Sequence, residues 1–320
     1  MQGAAPAGGG VDKKLRQTIH ARGKIMDRKS TMLVGLLFAA TWSAFAWPAF
    51  GQELKELRVC ADPDNLPFSN RKSEGFENKI AELIAKELGV PLKYFWYPHQ
   101  RGLVRRALTP GLCEVVISIP QGWDPVLWTK PYYRSTYVIV YPKSRKPQIK
   151  SLDDPILKQL KIGVYVNSPP AEALGERGMQ SNMVGYSPYF DYQEDRPGKI
   201  IEDVVAGKID AAIVWGPIAG YTVKKLNTTS LELVPLQDSD QGIPLSFQFS
   251  MGIREGTKGL KARLEQAINK KQDEIRKILE DYGVPLLALK GEEQFPKVEE
   301  RPGQLIYRRY ERDDSLESPR

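Results

Sequence analysis

The sequence predicts an α/β protein of two lobes, each a parallel-stranded layer with helices, joined by crossover strands. Three observations carry this. Short apolar runs bounded by Gly, Pro and Asx residues alternate with amphipathic helical periods. The alternation is complete twice, over residues 57–119 and again over 161–215. Between and after these units stand two long strand-like segments, Tyr137–Tyr141 and Leu245–Ile253, placed to pass the chain out of one lobe and back.

The elements follow in order. Leu57–Cys60 reads as a strand that opens into the loop Ala61–Phe68, where two prolines and three Asx side chains fix a non-regular path. From Phe76 the period becomes helical: Ile80, Leu83, Ile84 and Leu88 share one face, and Gly89 supplies the stop. Leu92–Tyr97 is an aromatic-rich strand, about Gln100 to Leu108 a helix, and Glu114–Ile119 a third strand. The second unit runs strand Lys161–Tyr165, turn Asn167–Pro170, helix Ala171–Gly175, helix Ile200–Ala206 and strand Ile209–Trp215. One long helix, Leu260 to Tyr282, then buries Leu264, Ile268, Ile275 and Leu279 and ends at Gly283. This gives lobe 1 as 52–140 plus 246–290, lobe 2 as 141–245, and 291–320 as a charged, proline-broken mobile C-terminal tail.

Residues 1–51 read as a leader. A basic stretch from Lys13 to Lys29 precedes the apolar run Met32–Phe50, with small-residue cleavage options at Ala44-Phe45-Ala46 and Ala49-Phe50-Gly51. That is the layout of a secretory signal peptide, with Met26 or Met32 as alternative starts. An uncleaved anchor is the rival reading, and Pro48 with the Ala/Thr/Ser content favours cleavage. The net charge of +7 shrinks accordingly: without the seven basic and two acidic residues of 1–51, the balance is 39 to 37, or +2. Nothing in that balance argues for nucleic acid binding.

Cys60 and Cys113 are the only cysteines. Placed at the exit of one strand and the entrance of its neighbour, they are offset by several residues at about 3.3 Å each, beyond disulfide reach. Two buried free thiols are the expectation, with a bridge permitted by an oxidising compartment.

The order of these elements, with Gly75-Phe76-Glu77, Pro131-Tyr132-Tyr133 and Ala206-Gly207-Lys208-Ile209-Asp210-Ala211, resembles the family 3 periplasmic solute-binding proteins over about 56–288. The resemblance implies a type II periplasmic binding fold. A narrower likeness rests on Val59–Ser69, Glu74–Leu83, Pro131–Tyr137 and Val214–Tyr221. These segments are similar to the binding-protein homologues encoded beside quinoprotein methanol dehydrogenases, the MxaJ/XoxJ type. That likeness implies a periplasmic assistant of a methanol dehydrogenase, with its c-type cytochrome as a further partner and handling of pyrroloquinoline quinone. Two departures from the amino-acid-binding pattern agree with it. The arginine that grips a ligand carboxylate is replaced at about Gly122, and the second-lobe carboxylate by Trp215. Losing both removes charged hydrogen bonds of roughly 1.5–3 kcal/mol each.

The candidate ligand residues follow from strand ends and turns. Asp62, Asn65 and Phe68 sit at the carboxyl end of the first strand, where open parallel sheets place ligands, although Asx turn chemistry accounts for them equally. Glu77 and Tyr132 belong to the two lobe-1 motifs. Trp123 and Trp215 are expected to face each other across the cleft and clamp a planar or apolar ligand, with lobe–lobe packing as the alternative. Asn167 and Ser168 occupy a turn suited to an anion, weakened by Pro169 and Pro170. Arg101, Arg105 and Arg106 read as a solvated face, and Tyr186, Tyr189, Tyr192 and Tyr221 as a candidate protein interface.

No catalytic set stands out. His99 is the one histidine beyond the leader, and there is no Gly-x-Ser-x-Gly elbow, zinc-spaced His/Cys cluster, dinucleotide or Walker loop. The chain is expected not to be an enzyme, to bind no metal and to hold no covalent cofactor. Two alternatives stay open: a receptor feeding an importer with a small solute other than a free amino acid, and a cleft dehydratase using Glu77 or Asp62.

Overall fold

The computed structural model describes residues 54–99, 102–121, 126–145, 148–188 and 196–291. The predicted leader, Arg101, Gly122, Trp123, Tyr189, Tyr192 and the tail from 292 lie outside them.

Strands β1 (Leu57–Ala61), β2 (Asp64–Asn65), β3 (Ser69–Asn70), β4 (Leu92–Trp96), β5 (Val115–Pro120), β6 (Leu127–Trp128) and β7 (Tyr133–Pro142) make up the first half. The second holds β8 (Ile162–Tyr165), β9 (Met183–Tyr186), β10 (Ala211–Trp215), β11 (Leu231–Pro235), β12 (Ser239–Asp240), β13 (Ile243–Pro244) and β14 (Ser246–Ile253). The main path runs β4-β1-β5-β14-β7-β10-β8-β9, with β11 on β7 and β6 on β14. Parallel pairs β1/β4, β1/β5, β8/β9 and β10/β8 come from the two strand–helix repeats. Both long crossover strands enter antiparallel.

β7 is the pivot of the architecture. Its first residues, Tyr133 to Thr136, pair with β14, whereas from Tyr137 onward it pairs with β10 and from Val138 also with β11. The exchange falls at Thr136–Tyr137, at the start of the crossover segment Tyr137–Tyr141 read from the sequence. Tyr137 sits at the node: its N–H donates to Leu245 O at 3.0 Å and its carbonyl accepts from Leu236 N–H at 2.9 Å.

Among the described residues, six α-helices cover the strands: α1 (Phe76–Leu88), α2 (Pro169–Glu176), α3 (Lys199–Val205), α4 (Gly216–Lys225), α5 (Lys258–Lys270) and α6 (Gln272–Asp281). α1 buries Phe76, Ile80, Ala81, Ile84 and Ala85, the period-3.6 face, and ends at Gly89 in the left-handed region. Two predicted helices differ. The segment 100–108 contributes one π-type turn, Val104–Leu108, with Arg105 and Arg106 exposed. The long C-terminal helix is two helices that meet at Lys271. No Gly or Pro marks the break; Lys270 in the last turn of α5 and Asp273 and Glu274 in the first turn of α6 suit two separate helix ends.

The cysteine expectation was wrong: Cys60 and Cys113 form a disulfide with Cα atoms 5.4 Å apart. β1 and β5 are direct neighbours, Val59 opposite Val115, and the chain before β5 is bent rather than extended. The offset reckoned at full strand rise therefore does not apply. Both sulfurs lie buried with Leu103, Ala107, Leu108 and Val116. Among the described residues, no helix is long and apolar enough to cross a membrane, and no group of three His, Cys, Asp or Glu could hold a metal.

Candidate functional site

At the carboxyl ends of β1 and β5 the structure gathers Asp62, Glu77 and Tyr132 with two residues the sequence reading did not single out, Ser118 and Tyr133. Asp62 is buried and its carboxylate is committed to the loop. Oδ1 accepts from Asp64 N–H at 3.0 Å and Oδ2 from His99 N–H at 2.6 Å. Ser69 Oγ completes the turn, accepting from Asp62 N–H and donating to Asp62 O. Asp62 is thus a loop organiser, the Asx reading. Asn65 belongs to the two-residue hairpin β2/β3 opposite Ser69, and Phe68 rests half-buried on Phe76 with ring centres 5.2 Å apart.

Glu77 stands in the first turn of α1. Burial pushes its carboxyl up to about 8; the Ser118 hydroxyl bond opposes this and the Asp62 charge adds to it. Tyr132 is buried, donates to Ile117 O at 2.8 Å and lies 3.1 Å from Ser118 Oγ. Burial pushes the Tyr132 and Tyr133 hydroxyls upward too, with the Glu77 carboxyl contributing to both. The His99 imidazole is held below its ordinary value by burial, against the pull of Asp62.

From this polar cluster an aromatic seam runs to the second lobe. Tyr133 stacks on Phe249 at 4.8 Å and 9°, and Phe249 lies 5.7 Å from Trp215. Trp215 also meets Phe247 at 5.9 Å and Tyr137 at 5.1 Å. The indole, at the end of β10, is only 9% exposed. It does not stand free to clamp a ligand; it closes the second lobe onto β14. Trp123, the expected facing indole, lies outside the described residues. The alternation Phe247–Phe249 on one face of a crossover strand was the signal that could have found this seam.

The second-lobe turn does not join the cluster. Asn167 is exposed with φ 58°, and the Ser168 hydroxyl donates to Tyr165 O at 2.6 Å. That bond spends the donor an anion would need. Tyr186 donates to Asp203 Oδ2 at 2.9 Å, and Tyr221 stacks on Tyr282 at 6.0 Å, so neither is a bare surface ring. A surface groove of about 430 Å³ between α1 and α6, floored by Leu83, Ile278 and Tyr282, shares no residue with the predicted site.

Residues 57–285 match the family of bacterial extracellular solute-binding proteins, family 3. Protein MoxJ of Methylorubrum extorquens is 32% identical over 248 residues, covering 73% of this chain and 82% of that protein. The crystal structure of MxaJ from Methlophaga aminisulfidivorans superposes with a TM-score of 0.66 at 29% identity, covering 72% of this chain and all of that one. The periplasmic binding protein XoxJ from Methylobacterium extorquens gives 0.61 at 38% identity, over 73% of this chain and all of that one. An aromatic seam in place of an ionic grip and these likenesses point the same way: the chain belongs to the bacterial extracellular solute-binding proteins of family 3, in their MoxJ/MxaJ/XoxJ branch.

Proposed function

We propose that this chain is a non-catalytic periplasmic assistant of a pyrroloquinoline-quinone-dependent methanol dehydrogenase, working by protein–protein contact rather than by capture and release of a solute. The observation that carries the reading is Trp215: the strand end that closes on a ligand ammonium in amino-acid receptors is here packed on Tyr137, Phe247 and Phe249. Asp62 is likewise committed to backbone N–H groups. Kinship with MoxJ, MxaJ and XoxJ supports a methanol dehydrogenase as the partner, and its c-type cytochrome is proposed as a further one.

The free quinone fits these residues poorly. It is a planar tricarboxylate, and the lobe-1 cluster offers carboxyls and hydroxyls, with no cationic side chain among those described there. Any share this protein has in handling that cofactor would then pass through the dehydrogenase surface. The buried, raised Glu77 carboxyl is the residue a dehydratase reading would use; its bond to Ser118 gives it a structural role instead. Co-purification of the secreted protein with the dehydrogenase, alongside calorimetry against amino acids and sugars, tests the proposal. A complex without solute binding is the expected result; micromolar solute binding with no complex would return the chain to the importer class.

A further inference from the structure

We propose that the segment after α6, residues 284–290, is a strap that holds the crossover strands at one setting, so that the lobes do not swing open and shut as those of a solute receptor do. This deepens the reading above, and rests on it only for the use of a fixed face by a protein partner.

The strap begins in the sequence. Gly283, at φ 74°, ends the helical path, and Pro285 has no N–H with which to resume it. The chain from Val284 to Lys290 therefore leaves α6 as neither helix nor strand. Its bonds fall where β7 changes neighbours. The pairing of β7 with β10 stops at Tyr137, opposite Trp215, and the β7 residues ahead of that point bond the strap instead. The Ser135 hydroxyl donates to Pro285 O at 2.7 Å, and Leu287 N–H donates to Arg134 O at 2.9 Å. Lys290 N–H then reaches β14, donating to Gln248 Oε1 at 2.8 Å, and its Nζ lies 3.1 Å from Asp238 Oδ2.

Arg134 closes the clasp. Its buried guanidinium donates to Ala288 O at 3.1 Å, to Ser246 Oγ at 2.9 Å and to Asp238 Oδ1. One planar fork thus joins the strap, β14 and the stretch between β11 and β12. Hinge closure concentrates its change of φ and ψ in a few residues of the connecting segments. Here those are Thr136–Tyr137 on β7 and the run from Leu236 to Leu245. Arg134 and Lys290 each hold β14 with one bond and Asp238 with another, so turning one crossover against the other breaks bonds of both at once. A buried guanidinium stripped of acceptors is costly, and that fixes the setting.

The test is a distance measurement by double electron–electron resonance on the full chain, spin-labelled at Lys93→Cys and Val184→Cys, exposed positions on the outer strands β4 and β9. One narrow distance is expected, unchanged in a chain stopped after Gly291, which keeps the strap. A chain stopped after Val284 should lose the single peak and gain a second distance, with the circular dichroism of the parent. Arg134→Lys, which puts a point charge in place of the fork, should broaden the peak in the same way and decides the matter where the shorter chain does not fold. A folded strapless chain, or a folded Arg134→Lys chain, that keeps the single distance of the parent would overturn the proposal, as would two distances in the parent itself. Two distances in the parent with a dehydrogenase complex intact sink the strap alone; one fixed distance without any complex keeps the strap and sinks the function proposed above.

Discussion

Gly220 and Gly283 meet backbone against backbone: a Cβ on Gly220 would lie 1.8 Å from the Gly283 carbonyl oxygen. This contact fastens α4 to the turn that ends α6. Tyr221 stacks on Tyr282 beside it, and Lys224 Nζ donates to the carbonyls of Glu280 and Asp281, the last of α6. Gly216 meets Thr136 O and Pro285 just as closely, at 2.5 and 2.8 Å from a notional Cβ.

No rotamer relieves a Cβ against a backbone carbonyl, so Gly220→Ala must push the lobes apart. It is expected to cost about 1–3 kcal/mol, the overpacking range. Gly259→Ala is the control. It lies in the first turn of α5 with nothing within 4 Å and should be neutral or stabilising by up to about 1 kcal/mol. Urea midpoints of the two variants settle this; equal midpoints would mean that the lobes are not fastened there.

Glu77 sets a pH slope. A carboxyl whose folded value is raised from 4.5 to about 8 is protonated in the folded chain and ionised in the unfolded one between those limits. Stability is therefore lost as pH rises through the window, by at most about 1.4 kcal/mol per unit. His99, held below 6.5, acts in the opposite sense below that pH, so the clean interval is pH 6.5–8. The parent midpoint should fall across this interval and level off above it, and Glu77→Gln should be flat. A parent curve already flat there would show that Glu77 is ionised.

How much of this was legible follows from which forces act locally. The strand–helix units, the α1 face and its Gly89 stop are written in period and capping, and the structure keeps them. The crossover at β7 was visible as a β-branched run, but its change of partners at Thr136–Tyr137 depends on strands far away in sequence, β10 and β14. Asp62 and Trp215 were found as site candidates by position at strand ends. What they do there was hidden, because the His99 N–H and the Phe249 ring reach them only through the tertiary fold. Ser118 and Tyr133 were missed for a plainer reason: a single hydroxyl in the apolar strand β5, and one at the polar start of β7, carry no periodic signal.

The disulfide gives a third expectation. Cys60 and Cys113 close a span of 53 residues, which in the chain-entropy view is worth about 4 kcal/mol. Replacing both by alanine should lower the urea midpoint accordingly, and a reductant should lower the parent to the same level while leaving the variant unmoved. A fully reduced parent that keeps its midpoint, or a variant with the midpoint of the oxidised parent, would rule the bond out as a stabiliser.

Restoring a carboxylate at the end of β10 is the direct route to recovering an amino-acid receptor, and the packing predicts that it fails. An aspartate at 215 would sit among the rings of Tyr137, Phe247 and Phe249, and a buried unpaired charge either unfolds the site or takes up a proton. Trp215→Ala removes the same contacts without adding charge and should cost about 3–5 kcal/mol. Trp215→Asp should be at least as destabilised and bind no amino acid by calorimetry, while Trp215→Phe, which keeps an aromatic face for Phe249, should stay within about 1.5 kcal/mol of the parent. Arginine or glutamate binding by a stably folded Trp215→Asp chain would show that the indole blocks a ligand site and does not serve as a wall between lobes.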